Sequence, residues 1–160
     1  MSIATVVARV EERVQSVQQA LSPLAPLVAR VTVGHVFVQS GWNKLHHLDK
    51  VTEFFVELGI PAASIQAPFI AGVELAGGLL VLLGAGSRVA SLLLAATMAV
   101  AIATAKRSEI MGASDLFGLV EWTYFALLVW IAIAGPGPLS LDRLSTRVRA
   151  RAARRMPATT

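Results

Sequence analysis

Cysteine is absent from all 160 residues, so no disulfide, thiolate metal site, iron–sulfur cluster or thiol relay can reside in this chain. Charge is scarce as well: 15% of residues are Asp, Glu, Lys or Arg against 55% apolar, which would leave a soluble domain without enough polar surface to cover it. Water is therefore not its only solvent. The N-terminal segment lacks the long apolar core and small-residue cleavage site of a signal peptide, and is expected to persist. No internal repeat or low-complexity tract is evident, and the length suits one domain.

What is abundant is apolar sequence in four long runs, with most of the charge between them. Span one covers about 23 to 40, span two 65 to 83, span three 89 to 105 and span four 116 to 134, each close to the ~20 residues that cross a ~30 Å hydrocarbon core. The fold expected is all-α: an integral membrane four-helix bundle with an amphipathic surface helix before it, a short external interfacial helix within it and a basic helix after it. The corresponding segments are 1–22, 23–134 and 135–160. Ala95, Ala99 and Ala103 on span three, and Ala67 and Ala71 leading toward Gly78 on span two, form rows of small residues that let helices approach closely.

The first surface helix follows from Ile3, Val6, Val7, Val10, Val14, Val17 and Leu21, spaced three or four apart, with Arg9, Glu11, Glu12, Arg13 and Gln15 elsewhere. Pro23 and Pro26 stand at the entry to span one, where a missing N–H is tolerated. In the loop 41–64, Asp49 is expected to cap a short helix whose Val51, Phe54, Phe55 and Leu58 share one side before Gly59 and Pro61 stop it. After Gly135-Pro136-Gly137-Pro138 a last helix is expected, capped by Ser140 or Asp142.

Lys and Arg distribution sets the orientation. Arg9, Arg13, Arg88 and the six tail arginines total nine on one side, while Lys44, Lys50, Lys106 and Arg107 give four on the other. Both termini are thus expected on the cytoplasmic side of a bacterial inner membrane, with loops 41–64 and 106–115 external. The tail arginines, Arg143, Arg147, Arg149, Arg151, Arg154 and Arg155, have no interleaved aromatic and no nucleic-acid reading motif. Anionic lipid is the partner expected there, and no nucleic acid, since each basic residue near the leaflet gains roughly 1 kcal/mol.

Charges inside the spans are the most informative feature, because each is costly in hydrocarbon. Counting ~1.5 Å per residue places Arg30 and Glu74 each roughly 15 Å inside the outer ends of their spans, and His35 and Glu121 each about 7 to 8 Å below the outer surface. Arg30 with Glu74 is one candidate buried pair or proton route, and His35 with Glu121 a second level. The competing reading has Arg30 snorkelling to the cytoplasmic headgroups and Glu74 protonated.

Arg30, Gly34, Phe37, Ser40-Gly41 and Lys44-Leu45, then Leu58-Gly59-Ile60-Pro61, then Glu74-Leu75-Ala76-Gly77-Gly78 with Leu83-Gly84 and Arg88, and the closing Gly135-Pro136-Gly137-Pro138-Leu139-Ser140-Leu141-Asp142, together resemble the DoxX family. The resemblance leaves only the first surface helix and the basic tail outside it. It implies a small four-helix bacterial membrane protein, related to the membrane subunit of thiosulfate:quinone oxidoreductase and associated with redox or sulfur-handling partners.

On that footing the expectation is a membrane subunit of a quinone-linked redox complex, not catalytic alone, with a quinone or small ligand between helices near the outer leaflet. His35 and Lys44 are the candidate donors to its carbonyls, Glu121 and Glu74 the candidate proton relays, and Trp122 a flank for the ring. Haem is disfavoured because only His35 lies within a span. No metal is assigned, since His46, His47 and Asp49 would make only a weak external site. The rival readings are a non-catalytic anchor or assembly factor that recruits a soluble redox enzyme, and a small-solute transporter acting as a homo-oligomer.

Overall fold

The computed structural model describes residues 3–153, and every regular element among them is helical. Side chains at 1–6, 8 and 149–160 lie outside the described set. The expectations resting on Ile3, Val6, Arg149, Arg151, Arg154 and Arg155 lie there with them. The elements are α1 (Ile3–Leu21), α2 (Leu24–His46), α3 (Leu48–Glu57), α4 (Ala63–Leu83), α5 (Ser87–Ala103), α6 (Ala113–Gly118), α7 (Val120–Ala134) and α8 (Leu141–Ala153), with a 3-10 turn at Arg107–Glu109.

Packing follows from small residues placed seven apart. Gly34 and Gly41 on α2 face Gly78 and Ala71 on the antiparallel α4, and a β-carbon at Gly41 would stand 2.3 Å from the backbone nitrogen of Leu75. One at Gly78 would stand 2.7 Å from the nitrogen of Val38. Both backbones meet there with nothing between them, which is how helices associate where the surrounding solvent is itself apolar. α2 with α4 is the most extensive contact in the molecule. α5 packs on both α4 and α7, and α7 returns to α2. The shared core is Val33 and Phe37 of α2, Val81 of α4, Ala90 and Leu94 of α5, and Leu128 and Ile131 of α7.

The distribution of polarity is inverted relative to a water-soluble protein. Arg30 and Glu74 are 1% and 2% exposed and Ser87 and Ser91 are fully buried, whereas Ile65, Phe69, Leu92 and Ile133 face outward. Such a surface suits hydrocarbon and would be a large aggregation patch in water. α2 and α4 are long and apolar enough to cross a membrane; α5 and α7, at 17 and 15 residues, are apolar but shorter. The described side chains of α1 are all exposed, with Val7, Val10, Val14, Val17 and Leu21 sharing one face of the helix.

Several boundaries differ from the sequence reading. α2 runs six residues past Ser40, to His46, because Asn43 and Lys44 are tolerated in its last turns. The expected fourth span, 116–134, is interrupted: Leu119 is extended after Gly118, so α6 stops and α7 begins at Val120. Asp49 does not cap α3. It lies in the first turn, where an acid still complements the helix dipole, and His47 holds the cap position. On α5 the alanine row packs only at Ala95, since Ala99 and Ala103 are exposed. At α8, Ser140 Oγ accepts the N–H of Arg143, as a cap does, while Asp142 serves another purpose.

That purpose is to tie the 135–142 loop to the turn between α4 and α5. Asp142 donates its N–H to Gly84 O at 3.0 Å and its carboxylate accepts the N–H of Gly86 at 2.9 Å. Arg30 enters the same junction: its Nη2 donates to the carbonyl of Leu139, and its Nη1 lies where a β-carbon of Gly84 would be. Gly84 also has a φ of 72°, so glycine is required there on both counts.

Candidate functional site

α3 folds back against α4 because Gly59 and Ala62 both take left-handed backbone, turning the chain sharply into α4. Beneath α3 lies a cavity of about 240 Å³. Its roof is Val51, Phe54, Phe55 and Leu58, and Ile70, Met98 and Ala101 contribute to its walls. Lys44 and Glu74 supply its charge, and Gln66, Thr97 and Thr104 its remaining polar groups. An apolar enclosure with a few convergent polar atoms is the usual form of a small-molecule site.

Glu74 is fully committed within it. Lys44 Nζ donates to Oε1 in a close ion pair, and Ser40 Oγ donates to Oε2 at 2.8 Å. Ser40 and Lys44 are one helical turn apart on α2, and the glycine contact at Gly41 lets both reach across to α4. The pair is neutral as a whole, which is the condition for two charges to persist at this depth. An ammonium carries three N–H donors and this one spends one on Glu74, so two remain for other acceptors at the edge of the cavity that Lys44 lines. The Thr97 and Thr104 hydroxyls donate to the carbonyls of Leu94 and Val100, which leaves their lone pairs as acceptors. Gln66 Nε2 is held by Pro61 O at 2.7 Å.

The structure therefore brings together Lys44 and Glu74 and separates the other residues proposed from sequence. Arg30 and Glu74 do not meet. Gly34 lies opposite Gly78 and Leu82, and Gly41 opposite Ala71 and Leu75. This register sets Glu74 level with Ser40 and leaves Arg30 about ten residues, ~15 Å, further along the bundle. The matched depths assumed that span one ended at Ser40; with α2 continuing to His46, the arithmetic shifts by more than a turn. His35 is exposed on the outer surface of α2 and does not line the cavity. Glu121 and Trp122 also lie outside it. Glu121 sits in the first turn of α7 near Lys106, whose ammonium is held above its usual range by its hydrogen bond to Glu109 first and by Glu121 to a smaller degree. Trp122 packs between Phe117 and Phe125, with ring centroids 5.2 and 5.6 Å away.

Ser40, Gln66, Thr97, Met98 and Thr104 are the residues that sequence reasoning missed. Ser40-Gly41-xx-Lys44 held a usable signal, since two polar residues one turn apart beside a close-packing glycine point one way. The α5 residues carried none. His46 and His47 direct Nδ1 to the carbonyls of Trp42 and Asn43 on their own helix. Among the described residues, no group of three His, Asp or Glu side chains is placed to share a metal ion.

The DoxX family model matches residues 25–107, from the second residue of α2 to past the end of α5, a stretch that holds the whole lining of the cavity. "Putative oxidoreductase CatD" of Bacillus subtilis (strain 168) is 33% identical over 121 residues, covering 74% of this chain and 85% of its own length. "Uncharacterized membrane protein Rv3486" of Mycobacterium tuberculosis (strain ATCC 25618 / H37Rv) is 34% identical over 144 residues, with coverage of 82% and 88%. "Inner membrane protein YqjF" of Escherichia coli (strain K12) is 27% identical over 124 residues, with coverage of 78% and 94%. No solved structure matches the chain.

Proposed function

The chain belongs to the DoxX family of membrane proteins, and we propose that it is the membrane subunit of a redox complex that receives a quinone head, or a ring of that size, in the cavity beneath α3. The observation that carries this reading is the cavity itself: apolar walls around an ammonium with two uncommitted N–H donors beside a buried carboxylate. At about 240 Å³ it exceeds the ~150 Å³ apolar cavity that is known to accept benzene, so a substituted ring fits. A redox role agrees with the printed name of CatD.

When bound, a quinone supplies the capacity to take up two electrons and two protons. The residues of this chain do the rest. Lys44 Nζ donates to a carbonyl oxygen and holds a proton beside it, Glu74 holds Lys44 in place, and Phe54 and Phe55 exclude water above. In this reading α2, α4, α5 and α7 all span the bilayer with α3 at the external interface and both termini cytoplasmic. The short α7 is accommodated by local thinning of the bilayer.

The reading is tested by purifying the full chain in mild detergent and assaying organic extracts for quinone. A quinone at near-stoichiometric level, depleted at least tenfold in Ala101→Trp, which fills the cavity, is the expected result. An equal quinone content in parent and variant overturns the assignment.

A further inference from the structure

At the opposite end of the bundle from the α3 cavity, a second recess of about 350 Å³ opens between the start of α5, the end of α7 and the start of α8. Arg88, Arg143 and Thr146 line it, with the backbone of Gly135 forming part of its wall. Nothing in the redox reading uses these residues. We propose that this recess is a binding site for the phosphate of an anionic phospholipid, clamped between the Arg88 and Arg143 guanidinium groups.

The charge balance of the recess carries the argument. Among the described residues, Arg30, Arg88, Arg143 and Asp142 gather at this end, with Arg147 one turn further along α8. Asp142 is the single acid in the recess wall, and its carboxylate is engaged by the N–H of Gly86 while it also lies within the field of the buried Arg30. Against that one carboxylate the recess holds two guanidinium groups, Arg88 and Arg143. Neither of these two forms an ion pair among the described residues, where the only ion pairs are Lys44 with Glu74 and Lys106 with Glu109. Two guanidinium forks lining one concave recess match the geometry of a phosphate, which accepts bidentate hydrogen bonds from each. Thr146 spends its hydroxyl proton on the carbonyl of Arg143, so the two guanidinium groups are the side-chain donors of the recess.

Position explains why the recess holds its shape. Gly135 has a φ of 84°, and a β-carbon there would stand 3.1 Å from Arg88 Nη2, so the loop lies directly against the guanidinium. Asp142 fastens the same loop to the α4–α5 turn through two hydrogen bonds. The clamp is thus built on helix ends already fixed to one another. A lipid and not a free phosphate is the occupant we favour, because the residues next in sequence to the recess, Val89 and Ile133, are 66% and 73% exposed and apolar. They offer acyl chains a surface beside the headgroup, and basic pockets between membrane helices are recognised headgroup sites.

The test is native mass spectrometry of the full chain in detergent, titrated with dioctanoyl phosphatidylglycerol, dioctanoyl phosphatidylcholine or sodium phosphate. The proposal predicts phosphatidylglycerol binding at least tenfold tighter than phosphatidylcholine and undisturbed by millimolar phosphate. It predicts a tenfold or greater loss in Arg88→Gln/Arg143→Gln, and partial recovery in Arg88→Lys/Arg143→Lys, where the charge returns without the fork. Arg151→Gln/Arg154→Gln/Arg155→Gln, which removes tail charge, should leave the affinity within twofold. Phosphate that binds as tightly as phosphatidylglycerol and displaces it would overturn the lipid assignment in favour of a soluble phosphate ligand. Equal binding of the two lipids, or a loss confined to the tail variant, would overturn the site.

Discussion

Lys44 closes on Glu74 across the α2–α4 interface, reaching from the last turns of one helix to the middle of the next. Ser40 takes the second carboxylate oxygen, so a residue that would otherwise be an isolated charge in hydrocarbon is held on both sides. The pair is structural and chemical at once: it fixes α2 against α4, and it presents an ammonium to the cavity beneath α3.

Breaking this pair on one side should cost more than removing it. Lys44→Met alone leaves a buried carboxylate with one partner, and loss of one member of a buried pair typically costs about 3 to 5 kcal/mol. The double change Lys44→Met/Glu74→Leu should recover a large part of that loss. A double-mutant cycle on unfolding in detergent measures it, and additive losses would mean that the two side chains do not interact in the folded protein.

Arg30 and Glu74 should behave as strangers. Arg30 donates to Leu139 O at one end of the bundle while Glu74 belongs to the other half, ~15 Å away along the axis. Sites beyond about 7 to 10 Å usually add within about 0.5 kcal/mol, so Arg30→Met and Glu74→Gln should be additive in the same assay. A coupling well above that would restore the pair that the geometry separates.

The glycine contacts predict a sharp contrast within one helix pair. Gly41→Ala places a β-carbon 2.3 Å from the Leu75 backbone nitrogen, where no flexible side chain can yield, so the helices must part. Overpacking of this kind costs about 1 to 3 kcal/mol and sometimes more. Gly72→Ala, on α4 with open space around it, should instead be neutral or gain about 0.5 to 1 kcal/mol from helix propensity. Thermal unfolding of the two variants side by side decides the matter.

Orientation is open to a direct check. The excess of Lys and Arg at the α1, α5 and α8 ends predicts that a green fluorescent protein fused after Thr160 is fluorescent and that alkaline phosphatase fused there is inactive. The reverse pattern would place the α3 cavity at the cytoplasmic face.

The helices were legible in the sequence because hydrocarbon demands long apolar runs, and Gly59 with Pro61 marked the end of α3 two residues from where it stops. The role of the small residues on α4 was legible for the same reason. What the sequence hid was register. Depth counting needs the ends of both helices, and polar residues at 43 and 44 masked six residues of α2, so the wrong cation was paired with Glu74. His35 looked like a ligand because a histidine within a span is rare, but helical phase alone could not say that it faces outward. The cavity lining from α5 and its C-cap was invisible because Thr97, Met98 and Thr104 are ordinary residues that acquire meaning only from α3 lying above them.

The most direct test of the account is photo-crosslinking with a short-tail azidoquinone, followed by mass spectrometry of the labelled peptides. Labelling is expected within 51–60, on α3 and its following turn, and within 97–105, on the end of α5 and the turn after it, suppressed in Ala101→Trp. Labelling centred on His35, Glu121 or Trp122, undiminished by that substitution, would contradict it.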